Sequence, residues 1–180
     1  DMIRPKPHVL CRAGVGRTFQ IMRPFKRMSV HDNVKLGAYV AAKDEAEAEG
    51  IAHDALRQVG LEGIADKLAG GLSTKDLRLM ELARALAGKP HILLLDETLA
   101  GLGSEEAKEV VAVIRRLSEQ GITVVIIEHT MQAMVQLADR FLVLDHGEVI
   151  VEGPPNEVTR DPRVIEAYLG KKWAAKNAEN

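Results

Sequence analysis

The chain has 180 residues, a formal net charge of −2, 46% hydrophobic residues and 28% charged residues. This composition is that of an ordinary globular domain, which argues against a disordered or fibrous protein, and the small net charge does not favour a general affinity for nucleic acid. The single Cys11 excludes an intrachain disulfide, and no apolar run approaches the roughly 20 residues that a membrane-spanning helix needs.

The segment "CRAGVGRT", residues 11–18, matches the phosphate-binding pattern G-x-x-x-x-G-K-[ST] only in part. Gly16 and Thr18 fit, but Cys11 and Arg17 stand at the positions of the first glycine and the lysine. A phosphate-binding loop follows a strand and opens a helix, whereas this segment leads into the proline-containing "IMRPFKR". We therefore predict that residues 11–18 do not cradle a phosphate. The preceding "DMIRPKPHVLC" has no long apolar centre, is not a signal peptide, and opens no clear element.

Residues 29–70 are predicted to be helical, because apolar residues recur there at the spacing of one buried helix face. Asp44 is the expected N-cap of the main helix and Gly60 its expected stop. The next helix, within "LSTKDLRLMELARALAGKP", is expected to be capped by Ser73 and to end before Gly88 and Pro90. The predicted buried face of the main helix consists of Ala48, Ile51, Ala52, Ala55, Leu56 and Val59.

Two continuous apolar runs, "HILLLDE" and "ITVVIIEH", flank an amphipathic helix in "SEEAKEVVAVIRRLSEQG". Strands that are apolar throughout are typical of a parallel sheet covered on both faces, and strand–helix–strand is one crossover unit of such a sheet. Ser104 is the expected cap of this helix. Its inward residues are predicted to be Val110, Val113, Ile114 and Leu117.

The last third is predicted to contain a short helix in "MQAMVQLAD" and two strands in "FLVLDHGEVIVEG" around a turn at residues 145–147. Asp161 and Pro162 are typical of the start of a final helix. That helix is expected to turn Val164, Ile165, Tyr168 and Leu169 inward, before a polar tail at residues 171–180.

Asp96 and Glu97 carry the strongest local chemical signal, because adjacent carboxylates end a buried strand at the sheet edge where such folds bind ligands. An Asp there can hold Mg²⁺, and the following Glu can polarise an attacking water. The alternative is a strand end with two solvated acids. His129 ends the second strand, where an imidazole can contact a phosphate or serve a structural purpose. Ser73 opens a helix whose N-terminus suits an anion, or is simply a cap.

The remaining histidines, at positions 8, 31, 53, 91 and 146, show no metal-ligand spacing along the chain. We interpret them as surface or structural residues.

Taken in chain order, these segments resemble the ATP-binding subunit of ABC transporters of the branched-chain amino-acid importer type. "GVGRTFQ" is similar to the approach to the Q-loop, with Gln20 as its glutamine. "LSTKDLRLMELARALAGKPHILLLDETLAGL" is similar to the signature helix, the Walker B strand and the D-loop, and "ITVVIIEH" carries the switch histidine, His129. "VEGPPNEVTRDPRVIEAYLG" resembles the C-terminal ending of the importer subgroup, so the resemblance runs from about residue 8 to residue 170.

The resemblance implies an α/β fold with a partial P-loop NTPase (RecA-like) core, a parallel sheet and the ABC helical subdomain, lacking the N-terminal part with Walker A. It implies four segments. Residues 1–22 would be the remnant of the core leading to the Q-loop, and 23–75 the helical subdomain with the signature. Residues 76–150 would be the catalytic core with Walker B, D-loop and switch histidine, and 151–180 the C-terminal helical tail.

ATP and Mg²⁺ are the cofactors that the family implies. Asp96 and Gln20 would serve the Mg²⁺, Glu97 would act as general base or orient the water, and His129 would contact the γ-phosphate. In a head-to-tail dimer, Ser73, Thr74 and Lys75 would approach the ATP bound to the opposite subunit. Gly101 would approach it too, as part of the D-loop Ala100–Gly103.

Three departures from the family pattern concern these positions. The signature reads "LSTKD" in place of L-S-G-G-Q, so side chains replace glycines that let a backbone approach a phosphate closely. Thr98 replaces the proline that usually follows the Walker B acids, and "GLGSEE" replaces the more common Asn-Pro form after the D-loop. All three put the contact with the opposite subunit in question more than the chemistry at Asp96 and Glu97.

The leading hypothesis is therefore an ATPase that dimerises, as a homo- or heterodimer, on transmembrane permease subunits at the cytoplasmic face of the membrane. It would power uptake of branched-chain or similar amino acids, meet the extracellular or periplasmic binding protein only indirectly, and bind no nucleic acid. The alternative is a non-catalytic module that acts as a regulatory or structural partner. A soluble ABC ATPase of repair or translation is a third possibility, against which the importer-type ending argues.

Overall fold

The computed structural model describes residues 5–169, which divide between His129 and Thr130 into two compact units. The first unit contains, in chain order, α1 (Pro7–Arg12), β1 (Val15–Arg17), α2 (Val30–Ala38), α3 (Glu45–Val59), α4 (Thr74–Leu86), β2 (Ile92–Asp96), α5 (Ser104–Glu119) and β3 (Thr123–Ile127). The second contains α6 (Met131–Leu137), β4 (Phe141–Asp145), β5 (Glu148–Gly153), α7 (Pro155–Val158) and α8 (Pro162–Leu169). Among the described residues, no helix has the length and apolar character needed to cross a membrane.

The first unit is built on a parallel three-stranded sheet with the order β1-β2-β3. Asp96 at the end of β2 lies in register with Ile127 at the end of β3, so the two strands end at one edge of the sheet. The predicted crossover β2–α5–β3 is confirmed, and the α/β class with a parallel sheet is correct. Leu93 and Leu95 are fully buried and form the centre of the sheet's core face.

The other face of this sheet differs from the prediction. We expected the apolar strands to be buried on both faces, but the side chains of Ile92, Val125 and Ile127 are 39%, 50% and 64% exposed. The register places Ile92 and Leu94 of β2 beside Thr123 and Val125 of β3, so these side chains share one face. Helices α4 and α5 pack on strands of the sheet, but no described element buries this face.

Helices α2, α3 and α4 form a packed helical cluster beside the sheet. All six residues of the predicted apolar face of α3 are buried. The predicted cap is also confirmed, since the Asp44 side chain accepts a hydrogen bond from the Glu47 backbone N–H, and Gly60 ends the helix in the left-handed region at φ 79°. Helices α2 and α4 approach closely: a Cβ on Gly37 would lie 2.0 Å from the backbone oxygen of Arg84.

The start of α5 corrects one predicted cap. The N-cap is Gly103, and Ser104 is the first helical residue. Glu106 explains the shift, because its carboxylate accepts a hydrogen bond from the Gly103 backbone N–H at 3.0 Å and satisfies that end of the helix without a serine. The predicted inward face of α5 is confirmed, since Val110, Val113, Ile114 and Leu117 are all buried.

Helix α1 was not expected, since the opening residues showed no clear element. It begins at Pro7, whose fixed φ suits the first turn of a helix and whose missing N–H costs nothing there.

The second unit packs the antiparallel hairpin β4–β5 against α7 and α8, around the buried residues Phe141, Val158 and Val164. His146 and Gly147 make the predicted turn with φ of 48° and 86°. The predicted inward positions of Tyr168 and Leu169 and the polar tail at residues 171–180 lie outside the side chains that the structure describes.

Candidate active site

The carboxyl edge of the sheet holds the two acidic residues singled out from the sequence. Asp96 is the last residue of β2, and the next residue, Glu97, donates its backbone N–H to the Ile127 oxygen at 2.9 Å. Glu97 has φ 46°, a left-handed backbone that non-glycine residues rarely adopt. Such strain costs about 1–3 kcal/mol and concentrates at functional sites. The chain therefore turns sharply at Glu97 and presents both carboxylates at the sheet edge.

Arg17 provides the positive partner of Asp96. Its guanidinium lies 3.3 Å from the Asp96 carboxylate and 5.0 Å from the centre of the Phe19 ring. The Asp96 side chain is 28% exposed and that of Arg17 54%, so the pair is open to solvent. An exposed pair of this kind contributes little to stability. The Asp96 carboxylate thus has a cation beside it and stays open to solvent.

Gln20 lies directly on Glu97. Its Nε2 donates a hydrogen bond to Glu97 Oε2 at 2.7 Å. This contact joins residues 77 positions apart and brings the predicted Q-loop glutamine onto the predicted general base. With Nε2 engaged, the amide oxygen of Gln20 remains as an acceptor or ligand atom.

Thr18 and Thr98 form a buried contact beneath these carboxylates. The two hydroxyl oxygens lie 3.4 Å apart, and both residues are less than 5% exposed. Thr98 stands where the resemblance leads one to expect a proline. The structure gives its hydroxyl a hydrogen-bonding partner on the segment that follows β1, which suits a buried polar group.

The N-terminus of α4 forms a second group of predicted site residues with the loop after β2. Ser73 caps the helix, accepting a hydrogen bond from the Asp76 backbone N–H at 3.1 Å. Gly101 has φ 81° and lies close to the start of α4, since a Cβ on Gly101 would be 4.0 Å from Thr74 Cγ2. Lys75 turns to α5, where Glu109 Oε2 lies 2.6 Å from its Nζ, and this carboxylate raises the pKa of the Lys75 ammonium.

His129 is exposed and lies two residues beyond the end of β3, at the same edge of the sheet as Asp96. Its neighbour Glu128 was not predicted from the sequence. Glu128 Oε1 accepts a hydrogen bond from the Leu99 backbone N–H at 2.7 Å and so fixes the loop after β2 to the end of β3. The only sequence feature that could have indicated this role of Glu128 is its position directly before His129 at the end of a strand.

Arg78 is the second residue that sequence reasoning missed. It lies on α4 and is 6% exposed. Its guanidinium donates hydrogen bonds to the backbone oxygens of Gln20 at 3.0 Å, Phe19 at 3.4 Å and Ala100 at 3.5 Å. One buried side chain thus joins the backbone of the Gln20 segment to the loop that carries Gly101. Nothing in the position of Arg78 along α4 signals this role.

The segment 11–18 does not have the geometry of a phosphate-binding loop. It runs from the end of α1 through a turn into β1, so a helix precedes a strand. A phosphate-binding loop has the opposite order. The prediction that "CRAGVGRT" is not such a loop is confirmed for these residues.

Comparisons with known proteins identify the family of this chain. A family model described as "ABC transporter" matches residues 2–100, and one described as "Branched-chain amino acid ATP-binding cassette transporter" matches residues 148–174. The high-affinity branched-chain amino acid transport ATP-binding protein BraF of Pseudomonas aeruginosa is 34% identical over 180 residues, covering 91% of this chain and 71% of that protein.

Two further comparisons extend the likeness. The lipopolysaccharide export system ATP-binding protein LptB of Escherichia coli is 31% identical over 169 residues, covering 92% of this chain and 69% of that protein. A solved structure described as the ADP conformation of an ATP-binding cassette of an ABC transporter superposes with a TM-score of 0.84. It is 30% identical, and the match covers 95% of this chain and 74% of the other.

Proposed function

This chain belongs to the ABC transporter family of ATPases coupled to transport, and from that membership we propose that it is the ATP-hydrolysing subunit of an importer for branched-chain or similar amino acids. The observation that carries the proposal is the cluster at the sheet edge, where Asp96 pairs with Arg17 and Glu97 accepts a hydrogen bond from Gln20. Each of the two adjacent carboxylates there has a polar partner within hydrogen-bonding distance, a guanidinium for Asp96 and an amide for Glu97.

The residues present fit a Mg²⁺–ATP complex. The Asp96 carboxylate and the Gln20 amide oxygen are hard oxygen donors of the kind that Mg²⁺ prefers. The pairing with Arg17 supports access of a cation to Asp96. Bound Mg²⁺ would neutralise charge on the phosphate oxygens. In this proposal, Asp96 and Gln20 hold the ion.

Glu97 accepts a proton from, or orients, the attacking water, and Gln20 sets the direction of its carboxylate. Both roles need a side chain held at a fixed angle, and the hydrogen bond between Gln20 and Glu97 supports this. His129 contacts the γ-phosphate from the end of the neighbouring strand. Its place at the same sheet edge is the support for that role.

A second copy or a homologous subunit completes the site. Ser73, Thr74 and Lys75 at the N-terminus of α4, together with Gly101, face the ATP of the opposite subunit in a head-to-tail dimer. The proximity of Gly101 to Thr74 supports a joint surface of these two segments. The Lys75–Glu109 ion pair means that Lys75 meets a phosphate only by leaving Glu109.

The transport role follows from the relatives. The name of BraF and the model matching residues 148–174 both refer to branched-chain amino acids, which supports an importer of such solutes. LptB belongs to an export system, so the cassette alone does not fix the cargo. We propose permease subunits as membrane partners, a location at the cytoplasmic face, and the four-segment division at residues 22/23, 75/76 and 150/151.

The substitution Glu97→Gln tests the catalytic assignment in the protein purified with its membrane partners. We expect ATP hydrolysis to fall about 10²–10⁴-fold, because the amide cannot accept a proton, while ATP binding is unchanged. Glu119→Gln, on the exposed end of α5, is the matched control and keeps wild-type turnover. Phosphate release and equilibrium nucleotide binding are the measurements.

Wild-type turnover in the Glu97→Gln protein would refute the role of Glu97. A wild-type protein that joins a permease but neither binds nor hydrolyses ATP would instead support the non-catalytic module.

A further inference from the structure

The side chains of two histidines and a glutamate in the helical cluster lie close together between α2 and α3. His31 lies in the first turn of α2, and Glu49 and His53 lie one turn apart on α3. Residues four positions apart share a face of a helix, so Glu49 and His53 point the same way. The packing of α2 on α3 brings His31 to them. The spacing of these histidines along the chain concealed this arrangement.

The distances suit a common ligand. One ligand atom from each of the three residues lies within 4.8 Å of the others. His31 Nε2 is 3.0 Å from Glu49 Oε2, and the rings of His31 and His53 are 4.6 Å apart with a 40° tilt. Tetrahedral zinc, with bonds of about 2.0–2.2 Å, places its ligand atoms roughly 3.4 Å from one another. Small side-chain rotations therefore close the cluster around one ion.

The buried nitrogen of His31 lacks an ordinary hydrogen bond. Its Nε2 is buried and makes none, although Glu49 Oε2 lies near. A buried polar atom without a well-aligned hydrogen bond is unfavourable, and a metal ion would satisfy it. His53 is exposed and Glu49 is 41% exposed, so an ion enters from solvent and keeps an open coordination position.

The surrounding charge favours a cation. Lys35 Nζ lies 2.8 Å from Glu49 Oε1 and 3.0 Å from Glu45 Oε1, which leaves Glu49 Oε2 for the histidines. Asp32 Oδ1 lies 4.0 Å from His31 Nδ1. Three carboxylates thus face one ammonium around the cluster, and the excess negative charge attracts a divalent ion.

We propose that His31, Glu49 and His53 bind a divalent transition-metal ion of the zinc class. Two imidazoles and one carboxylate are a donor set that zinc takes with a fourth position left for water. The ion joins α2 to α3, so its binding stabilises the helical cluster. The site shares no residue with the proposed hydrolysis site and is independent of the function proposed above.

The test is titration of the tag-free 180-residue chain with Zn²⁺ alone by calorimetry, and with Co²⁺ followed by its visible absorption. We expect about one ion per chain and a rise in the unfolding temperature when Zn²⁺ is present. His53→Ala and Glu49→Gln each weaken binding by at least about tenfold. Both side chains are partly or fully exposed, so both variants are expected to fold.

His146→Ala is the matched control, because this histidine is 94% exposed in the β4–β5 turn and also lies beside an aspartate. It keeps wild-type Zn²⁺ affinity. The proposal is overturned if the wild-type chain binds no Zn²⁺, or if His53→Ala and Glu49→Gln bind it as tightly as His146→Ala does.

Discussion

Removal of the Arg78 guanidinium tests how the two loops around the candidate site are held. Arg78 is buried on α4 and donates to three backbone oxygens, those of Phe19, Gln20 and Ala100. Arg78→Met keeps most of the aliphatic stem and removes all three hydrogen bonds. The substitution therefore separates the hydrogen bonds from the packing.

The expected loss follows from the lengths of these bonds. Only the bond to Gln20, at 3.0 Å, has an ordinary length, and a hydrogen bond from a charged donor contributes about 1.5–3 kcal/mol. The bonds to Phe19 and Ala100, at 3.4 and 3.5 Å, lie at the limit of hydrogen bonding and add little. We expect the free energy of unfolding to fall by about 2 kcal/mol, or the unfolding temperature by about 4–8 °C.

Urea unfolding of the wild-type and variant chains measures this loss. Arg57→Met is the control, since the Arg57 side chain is 68% exposed and pairs with Asp54 on the same helix. We expect this substitution to change the free energy of unfolding by less than about 0.5 kcal/mol. If Arg78→Met changes the free energy of unfolding by less than about 0.5 kcal/mol, Arg78 does not hold the two loops together. Because Arg78 holds the Gln20 backbone, the proposed function also predicts reduced ATP turnover at unchanged ATP affinity in Arg78→Met, and a turnover partly restored in Arg78→Lys.

Two further predictions concern packing and acid sensitivity. Gly37→Ala is expected to lower the free energy of unfolding by about 3 kcal/mol, because the new Cβ would clash with the backbone oxygen of Arg84. Gly50 has open space around it, so Gly50→Ala is expected to leave the free energy of unfolding unchanged or to raise it by up to about 1 kcal/mol. Urea unfolding of both variants measures these changes. The Arg163 guanidinium lowers the pKa of the Asp161 carboxyl in the folded chain. This ion pair therefore stabilises the fold above about pH 3.9, the usual pKa of an Asp carboxyl. The stabilisation is lost as the pH falls through the lower pKa that Asp161 has in the folded chain. An NMR titration is expected to give an Asp161 pKa below the usual value that rises in Arg163→Gln.

The local parts of the fold could be predicted from the sequence because they depend on neighbours a few residues apart. The face of α3, its cap Asp44 and its stop Gly60 all follow from side-chain periodicity and capping chemistry. The start of α5 shows the limit of this reasoning. Ser104 is a good cap, but Glu106 three residues later satisfies the backbone of Gly103 and moves the helix start by one residue.

The long-range parts of the site could not be read from spacing. Arg78 meets Gln20 from 58 positions away, and Glu128 meets Leu99 from 29 positions away. These contacts depend on how α4 and the two strands pack, which no local pattern encodes. The same reason explains His31 and His53. They look unrelated along the chain, and only the packing of α2 on α3 brings them together.

Two residues that depart from the family pattern, Thr98 and Lys75, each have a partner in the folded chain. Thr98 has the Thr18 hydroxyl 3.4 Å away, and Lys75 has the Glu109 carboxylate. The same Thr18 hydroxyl accepts a hydrogen bond from the Asp96 backbone N–H at 3.4 Å, so Thr98 is joined through Thr18 to the end of β2. In the proposed function, the Lys75–Glu109 pair instead changes the surface that α4 offers to a second subunit.

The two departures therefore have different expected consequences. In the proposed function, a substitution at Thr98 alters the stability of the sheet edge, while one at Lys75 or Glu109 alters ATP-dependent dimerisation. Glu109→Gln frees the Lys75 ammonium for a phosphate of the opposite subunit. We expect it to tighten the ATP-bound dimer, measured by analytical ultracentrifugation with the Glu97→Gln background to prevent hydrolysis. A weaker dimer would mean that the ion pair itself shapes the interface, and that Lys75 does not meet the nucleotide.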